Sequence, residues 1–215
     1  MSQPVKPRHY HALRRRAAAE ATRRAILDAA TRLFAERGYP ATTMGAIAEA
    51  AGVALDTVYA AVGPKPILFR LLVETAISGA DQPVPALERE YVLAMRAERD
   101  PSRKLELYAS AIRRIQGRLA PLFRVLQQAA PLHPELAALW DEIAQRRARN
   151  MRMLANELAE TGQLRPGVAI DEAADVIWAT NSPQFYLLLV YERGWAPERY
   201  EHWLADAWKQ LLLQD

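Results

Sequence analysis

Residues 22–69 read TRRAILDAATRLFAERGYPATTMGAIAEAAGVALDTVYAAVGPKPILF, and this stretch decides the fold. Apolar residues recur at intervals of three and four between residues 21 and 37, which predicts an amphipathic first helix with one buried face. Gly38 follows and provides a stop for this helix, because glycine is the preferred residue just beyond a helix C-terminus.

Two short helices are predicted downstream of Gly38. Thr43 is a suitable N-cap for a helix over residues 44–51, which Gly52 closes. A third helix follows over residues 55–62. This is the spacing of a helix-turn-helix, a motif whose second helix enters the major groove of DNA.

The same stretch closely resembles the DNA-binding domain of the TetR family of bacterial transcriptional regulators. The resemblance covers about a quarter of the chain and rests on an ordered set of residues rather than on one short motif. This set comprises Ile26 through Phe34, Gly38-Tyr39, the Thr42-Thr43 pair, Ile47-Ala48, Ala51-Gly52-Val53, Thr57-Val58-Tyr59 and Lys65.

The resemblance implies a particular architecture and mechanism. It implies a head of three helices, a fourth helix that links the head to a helical body, and two final helices that pair with a second copy of the chain. It also implies that a small ligand binds in the body and changes the spacing of the two heads.

The rest of the chain agrees with an all-α fold, because helix-forming residues dominate and no run alternates with the period of a strand. We expect a basic N-terminal arm over residues 1–20, a helix-turn-helix domain over 21–66 and a helical ligand-binding and dimerisation body over 67–215. In the body, Pro121 is expected to separate two helices, and Asp171 is expected to cap a later one.

Composition and charge restrict the class of protein. Half of the 215 residues are hydrophobic (51%) and there is no cysteine, which excludes disulfides and thiolate chemistry. No stretch approaches the ~18 apolar residues of a membrane span, and no signal peptide is recognisable. We therefore expect a cytoplasmic protein without a membrane partner.

The charge is concentrated at the start of the chain. The formal net charge is +3, and residues 1–66 hold ten Lys/Arg against five Asp/Glu. A basic head on a slightly acidic body favours a polyanion as partner, here double-stranded DNA.

The predicted recognition helix, residues 55–62, contains no Arg or Lys. Base reading is therefore assigned to apolar and acidic side chains: a leucine or alanine can contact a thymine methyl group, and an aspartate can accept from a cytosine amino group. The alternative for Asp56 is stabilisation of its own helix through the helix dipole.

Attraction to phosphate is assigned to the arm, since the minor groove favours inserted arginines; the alternative is a solvated tail. Residues at positions that contact the DNA backbone in the TetR family add to this attraction to phosphate. The candidate DNA-binding residues are Arg14, Arg15, Arg16, Arg23, Thr43, Leu55, Asp56, Thr57, Tyr59, Ala60 and Lys65.

Body residues give two further sets of candidates. Aromatic and polar side chains that could hold an amphipathic ligand are Tyr108, Phe123, Gln127, Trp140, Trp178, Asn181 and Tyr186. A structural core explains the aromatic residues as well, a solvated face explains Gln127, and a dimer contact or a proline kink explains Asn181. The broad apolar face near the C-terminus predicts a homodimer interface with Leu189, Trp203, Ala207, Trp208 and Leu211, although the two tryptophans fit an intramolecular core too.

No catalytic constellation, metal-ligand spacing or phosphate-binding loop is recognisable, so no enzyme activity, metal or cofactor is expected. The sequence predicts a homodimeric regulator, a repressor that binds a palindromic operator and is released by a small hydrophobic or amphipathic effector. Two alternatives stay open: a constitutive DNA-binding regulator without a ligand, and a helical interaction protein whose head has lost sequence-specific DNA binding.

Overall fold

The computed structural model describes residues 8–80 and 82–214, with side chains from residue 14 onward. The chain divides into two compact units, Met1–Leu72 and Val73–Asp215. Within the described residues the regular structure is helical, apart from one isolated β-bridge between Leu164 and Leu213. The prediction of an all-α fold is confirmed.

The first unit contains α1 (Arg8–Ala41), α2 (Met44–Ala51), α3 (Leu55–Val62) and the beginning of α4 (Lys65–Ser78). Helix α1 starts at Arg8, well before the predicted start at Ala21. Alanine and arginine are both strong helix formers, which explains why the described part of the basic segment continues the helix rather than forming a separate arm. Residues 1–7 of the predicted arm lie outside the described residues.

Local signals at the ends of these helices act as predicted. Gly38 breaks α1 with a left-handed φ of 76°, which favours glycine. The Thr43 side chain accepts a hydrogen bond from the Ala46 amide at 3.1 Å and caps α2. At the other end of α2, Gly52 has φ 67° and ψ 34°, and its amide donates to carbonyls of the last helical turn.

The core of the first unit is built around Phe34, which is fully buried. Its ring stacks on Tyr39 at a centroid distance of 5.6 Å and meets Phe69 edge-on at 5.1 Å. The buried Thr42 hydroxyl donates to the carbonyl oxygens of Leu33 and Gly38, which ties the end of α1 to the turn before α2. Further buried side chains that hold α1, α2 and α3 together are Ile26, Leu33, Ile47, Val58 and Val62.

Among the described residues, the second unit contains six helices after α4. They are α5 (Glu90–Ala97), α6 (Pro101–Ala129), α7 (Pro134–Glu160), α8 (Ile170–Thr180), α9 (Pro183–Tyr186) and α10 (Pro197–Leu212). Two short 3₁₀ turns occur at Ala86–Glu88 and Ala130–Leu132, and a π-helical segment, Leu187–Glu192, continues α9.

Two local predictions in the body are wrong. Helix α6 runs through Pro121 without a break, because its flanking side chains, including Ala120, Leu122 and Phe123, are all buried and packing outweighs the cost of the proline. Asp171 does not cap α8: the N-cap position is Ala169, and Asp171 lies in the first turn, where its charge suits the positive end of the helix.

Helix α6 is the centre of the second unit and packs against α5, α7, α9 and α10, while α7 packs against α8. Large side chains buried among these helices include Leu105, Leu122, Leu126, Tyr200 and Trp208. The Trp208 ring stacks on Tyr108 at 5.4 Å, and its indole N–H donates to the Thr180 hydroxyl at 2.8 Å.

Over the described ranges, no single helix is long and apolar enough to cross a membrane; α2 and α3 reach the necessary composition only as a pair, with a bend of 102° between them. The side chains that the structure describes include no group of three or more His, Asp or Glu residues arranged to hold a metal ion.

Candidate DNA-binding surface and ligand cavity

Helix α3 presents one apolar face to the core and the opposite face to solvent. Val58 and Val62 are buried. Leu55 and Tyr59, one turn apart, are 43% and 46% exposed, and Asp56 and Ala60 are exposed beside them. The four predicted base-reading residues therefore share one accessible surface, as an element that enters a DNA groove requires.

The predicted phosphate contacts lie around this surface. Thr43 and Thr57 are exposed. The Lys65 ammonium lies 4.3 Å from the centroid of the Tyr39 ring and 3.5 Å from the Pro40 carbonyl oxygen. Partial burial lowers the pKa of Lys65, because desolvation penalises its charged form. Lys65 is thus held at the start of α4 by contacts with its own chain.

Arg23, predicted as part of the DNA-binding arm, has a structural contact. Its Nη1 donates to the Ala61 carbonyl oxygen at 2.7 Å. Ala61 lies in the last turn of α3, where carbonyl groups lack helical partners and the helix dipole is negative. Arg23 therefore connects α1 to the C-terminal end of the recognition helix and fixes its position.

Arg14, Arg15 and Arg16 are exposed on the N-terminal part of α1. Arg16 forms an exposed ion pair with Glu20 at 2.9 Å, a contact of small energetic value. The basic groups near the start of the chain are therefore presented on a helix surface, and they supply the positive charge that α3 itself lacks.

The body contains a cavity of about 120 Å³. Its walls come from the C-terminal end of α4, the segment around α5, helices α6 and α7, and Asn181 at the C-terminal end of α8. Most of the lining is apolar, with Met95, Ile112, Ile115, Leu119, Ile143 and Leu154 among the contributing side chains. An apolar cavity with a few oriented polar groups is the usual form of a small-molecule site.

A polar cluster centred on Asn181 forms one wall of this cavity. Asn181 is 1% exposed, and its amide nitrogen donates to the Tyr108 hydroxyl at 2.8 Å. Its side-chain oxygen accepts from Arg147, whose guanidinium also donates to the Trp178 carbonyl. Its backbone carbonyl accepts from the Gln116 side chain at 2.6 Å. Burial raises the pKa of the Tyr108 hydroxyl, which stays protonated and donates to Met151 Sδ at 3.2 Å.

The predicted ligand-binding residues divide into two groups. Tyr108 and Asn181 line the cavity. Phe123, Gln127, Trp140, Trp178 and Tyr186 lie outside its lining: Phe123 packs on Trp140 at 4.7 Å, Tyr186 meets Tyr200 edge-on, and Gln127 is exposed. Trp178 lies behind the wall, 5.1 Å from the Arg147 guanidinium.

The polar cavity residues that were not anticipated from the sequence include Arg89, Gln116 and Arg147. A signal for Gln116 existed, since it occupies an apolar position of α6 between Ile112, Ile115 and Leu119. Arg147 lies in an arginine-rich run that reads as a solvated face, and nothing in the spacing around Arg89 distinguishes it.

Comparisons with known proteins show which family and which solved structures this chain resembles. The family model described as bacterial regulatory proteins, tetR family, matches residues 26–61. The crystal structure of NalD, the secondary repressor of the MexAB-OprM multidrug efflux pump in Pseudomonas aeruginosa, is similar with a TM-score of 0.71 and 25% sequence identity, covering 93% of this chain and 99% of NalD. Residues 26–61 thus match the DNA-binding domain of the TetR family, and the chain as a whole has the fold of a transcriptional regulator of this type.

Two further solved structures share the fold of this chain. The SmeT–triclosan complex has a TM-score of 0.64 and 21% identity, covering 91% of this chain and 93% of SmeT. A transcriptional regulator from Saccharomonospora viridis in complex with choline has a TM-score of 0.66 and 20% identity, covering 90% of this chain and 98% of that regulator. No curated protein sequence gives a significant match. These similarities support a DNA-binding transcriptional regulator of TetR type.

The regulator exposes apolar side chains near its C-terminus. Leu211 is 50% exposed and Trp203 is 37% exposed, while Leu189 and Ala207 are half-buried. Trp208 is wrong as an interface residue: it is fully buried in its own chain, where it contacts Tyr108 and Thr180.

The contact between Arg23 and Ala61 gives a prediction. Replacing Arg23 with methionine keeps an apolar stem but removes the donor to α3, so we expect the free energy of opening at the α3 amides to fall by about 1–2 kcal/mol in native-state hydrogen exchange. Arg16→Met, which removes only an exposed ion pair, is the matched control and should change this free energy by less than about 0.5 kcal/mol.

DNA binding by Arg23→Met separates a positioning role of Arg23 from a direct contact with phosphate. With a mixed-sequence duplex, the log–log salt dependence of binding should be unchanged in Arg23→Met. A slope lower by about one, together with unchanged amide protection, would instead assign Arg23 to phosphate.

Proposed function

We propose that this chain is a homodimeric repressor of TetR type that binds a palindromic operator and is released when a small hydrophobic or amphipathic molecule occupies the body cavity. The observation that carries the proposal is the combination of an accessible α3 surface in one unit with a largely apolar cavity in the other. We place its action in the cytoplasm, where bacterial DNA is accessible.

The relatives support each half of this proposal. NalD is described as a repressor of an efflux pump, which favours repression as the sign of regulation. SmeT and the Saccharomonospora viridis regulator were crystallised with triclosan and choline, respectively, so bodies of this fold can hold small molecules.

One helix provides a physical route between ligand and DNA binding. Helix α4 begins at Lys65 in the first unit, and its final turns contribute Ile77 to the cavity wall. Glu74 on the same helix pairs with Arg146 at 2.9 Å, and the Ala76 carbonyl accepts from Arg118 at 2.9 Å. A ligand that displaces the end of α4 acts on a helix that is continuous with the DNA-binding unit.

DNA affinity is proposed to divide between two surfaces. Leu55, Asp56, Tyr59 and Ala60 on α3 discriminate bases, while Arg14, Arg15 and Arg16 on α1 supply much of the attraction to phosphate. Thr43, Thr57 and Lys65 add contacts to the DNA backbone. This division follows from the absence of any basic residue in α3.

Replacing Arg14, Arg15 and Arg16 together with glutamine tests this division. We expect weaker binding to a mixed-sequence duplex, with a log–log salt slope lower by about one for each phosphate that the variant no longer binds. Glutamine at three exposed body positions, Arg99, Arg149 and Arg193, makes the same change in net charge and should leave the slope unchanged. Equal slopes in both triple variants would contradict a role for the α1 arginines.

The dimer is proposed to form through the exposed apolar faces of the π-helical segment and α10. Leu188, Tyr191, Trp203 and Leu211 are between 37% and 51% exposed, and together they offer a surface that a second copy can bury.

Leu211→Asp tests this interface, because Leu211 is half exposed and its replacement leaves the core of the single chain intact. We expect sedimentation to show monomers where the wild-type protein is dimeric. Leu132→Asp, a change at a 78% exposed leucine outside this surface, is the control and should stay dimeric. Dimers in the Leu211 variant at the same concentration would argue against the proposed surface.

A further inference from the structure

The charges that line the cavity do not balance. Five charged side chains contribute to its wall: Arg89, Arg96, Arg146, Arg147 and Glu157. Arg146 is neutralised by Glu74 at 2.9 Å, and Glu157 by Lys104 at 2.8 Å. Among the residues that the structure describes, the other three arginines have no carboxylate within ion-pair distance.

Of these three cations, Arg89 is buried and Arg147 is partly buried. Arg89 is only 9% exposed, and its Nε donates to the Val84 carbonyl at 3.0 Å, while its terminal nitrogens have no described hydrogen-bond partner. Arg147 donates to neutral oxygens of Asn181 and Trp178. Burial lowers the pKa of Arg147, so its surroundings disfavour the positive charge. An anion in the cavity would remove this penalty at Arg147 and give the terminal nitrogens of Arg89 a partner.

Gln116 adds a second requirement. Its side chain is 2% exposed and lines the cavity, and its amide nitrogen must face the Asn181 carbonyl, since only the nitrogen can donate to it. The amide oxygen is then oriented by this contact and has no donor among the described residues. Buried acceptors are normally satisfied, so a donor on the ligand is expected there.

We propose that the effector of this cavity is an amphipathic monoanion: an acidic group binds Arg89 and Arg147, an apolar body contacts the aliphatic wall, and a hydroxyl or N–H group donates to Gln116. This inference rests on the proposed function, since it names the chemical class that the ligand cavity accepts. The cavity, of about 120 Å³, is on the scale of cavities that hold a small organic molecule.

Octanoate, 1-octanol and octyltrimethylammonium test the charge requirement, because they share an eight-carbon chain and differ in their head groups. Thermal denaturation and calorimetry on the full-length protein should show octanoate binding roughly 10- to 100-fold more tightly than octanol, as charge-assisted hydrogen bonds give. Octyltrimethylammonium should bind most weakly.

Substitutions locate the acidic group. Arg89→Met and Arg147→Met should each remove most of the preference for octanoate over octanol, while Arg99→Met, at an exposed position outside the cavity, should retain it. The preference is the ratio of the octanoate and octanol affinities measured on the same variant, so it stays informative even if that variant is less stable.

Hydroxylated octanoates test the donor. Across 2-, 3- and 8-hydroxyoctanoate, at least one should bind the wild-type protein several-fold more tightly than octanoate, and Gln116→Met should abolish that gain while octanoate itself still binds.

The outcomes separate this inference from the proposed function. Binding of octanol or octyltrimethylammonium as tightly as octanoate would overturn the anion assignment and leave a ligand-gated regulator in place. Failure of all three head groups to bind would overturn the ligand-gated function and this inference with it. If Gln116→Met no longer binds the hydroxyoctanoate more tightly than octanoate, the inference is supported. If the wild-type protein binds no hydroxyoctanoate more tightly than octanoate, the donor requirement is contradicted.

Discussion

The side chain and backbone of Asn181 form the interaction on which the body depends. It lies where α8 ends, and its three polar groups bind Tyr108 and Gln116 on α6 and Arg147 on α7. Because an unsatisfied buried amide is costly, these contacts fix the relative positions of three helices at the one point where the chain breaks before α9. The cavity lies beside this cluster, and all four of its residues contribute to the cavity wall.

In the head, the short helices α2 and α3 are held in place by contacts at their ends. Thr43, Gly52 and the Arg23 contact hold α2 and α3 in place, and the aromatic group around Phe34 supplies the buried surface. Since positioning is provided by α1 and by caps, the exposed face of α3 is free to carry Leu55, Asp56, Tyr59 and Ala60. A recognition helix without basic residues can then discriminate bases while the arginines of α1 provide attraction to phosphate.

The parts of the fold that the sequence predicted well are those with local causes. Helices α2 and α3 begin and end at the predicted residues because a threonine cap and left-handed glycines act within a few positions of themselves. Predictions failed where packing or composition overrides a local rule, as at Pro121 within α6 and at the early start of α1. The same limit applies to the site: Asn181 was recognisable beside Pro183, but the burial of Arg89 and Arg147 results from which helices meet, which periodicity does not encode.

The central claim is that a dimer of this chain reads DNA through α3, and selection of binding sequences from a random duplex library at moderate salt tests it most directly. We predict an enriched palindrome whose half-sites are about one helical turn apart, ~10 bp or slightly more. Thymine or cytosine should be favoured at the positions that face Leu55 and Asp56. Recovery of DNA without an enriched sequence, or no recovery of DNA, would contradict this claim.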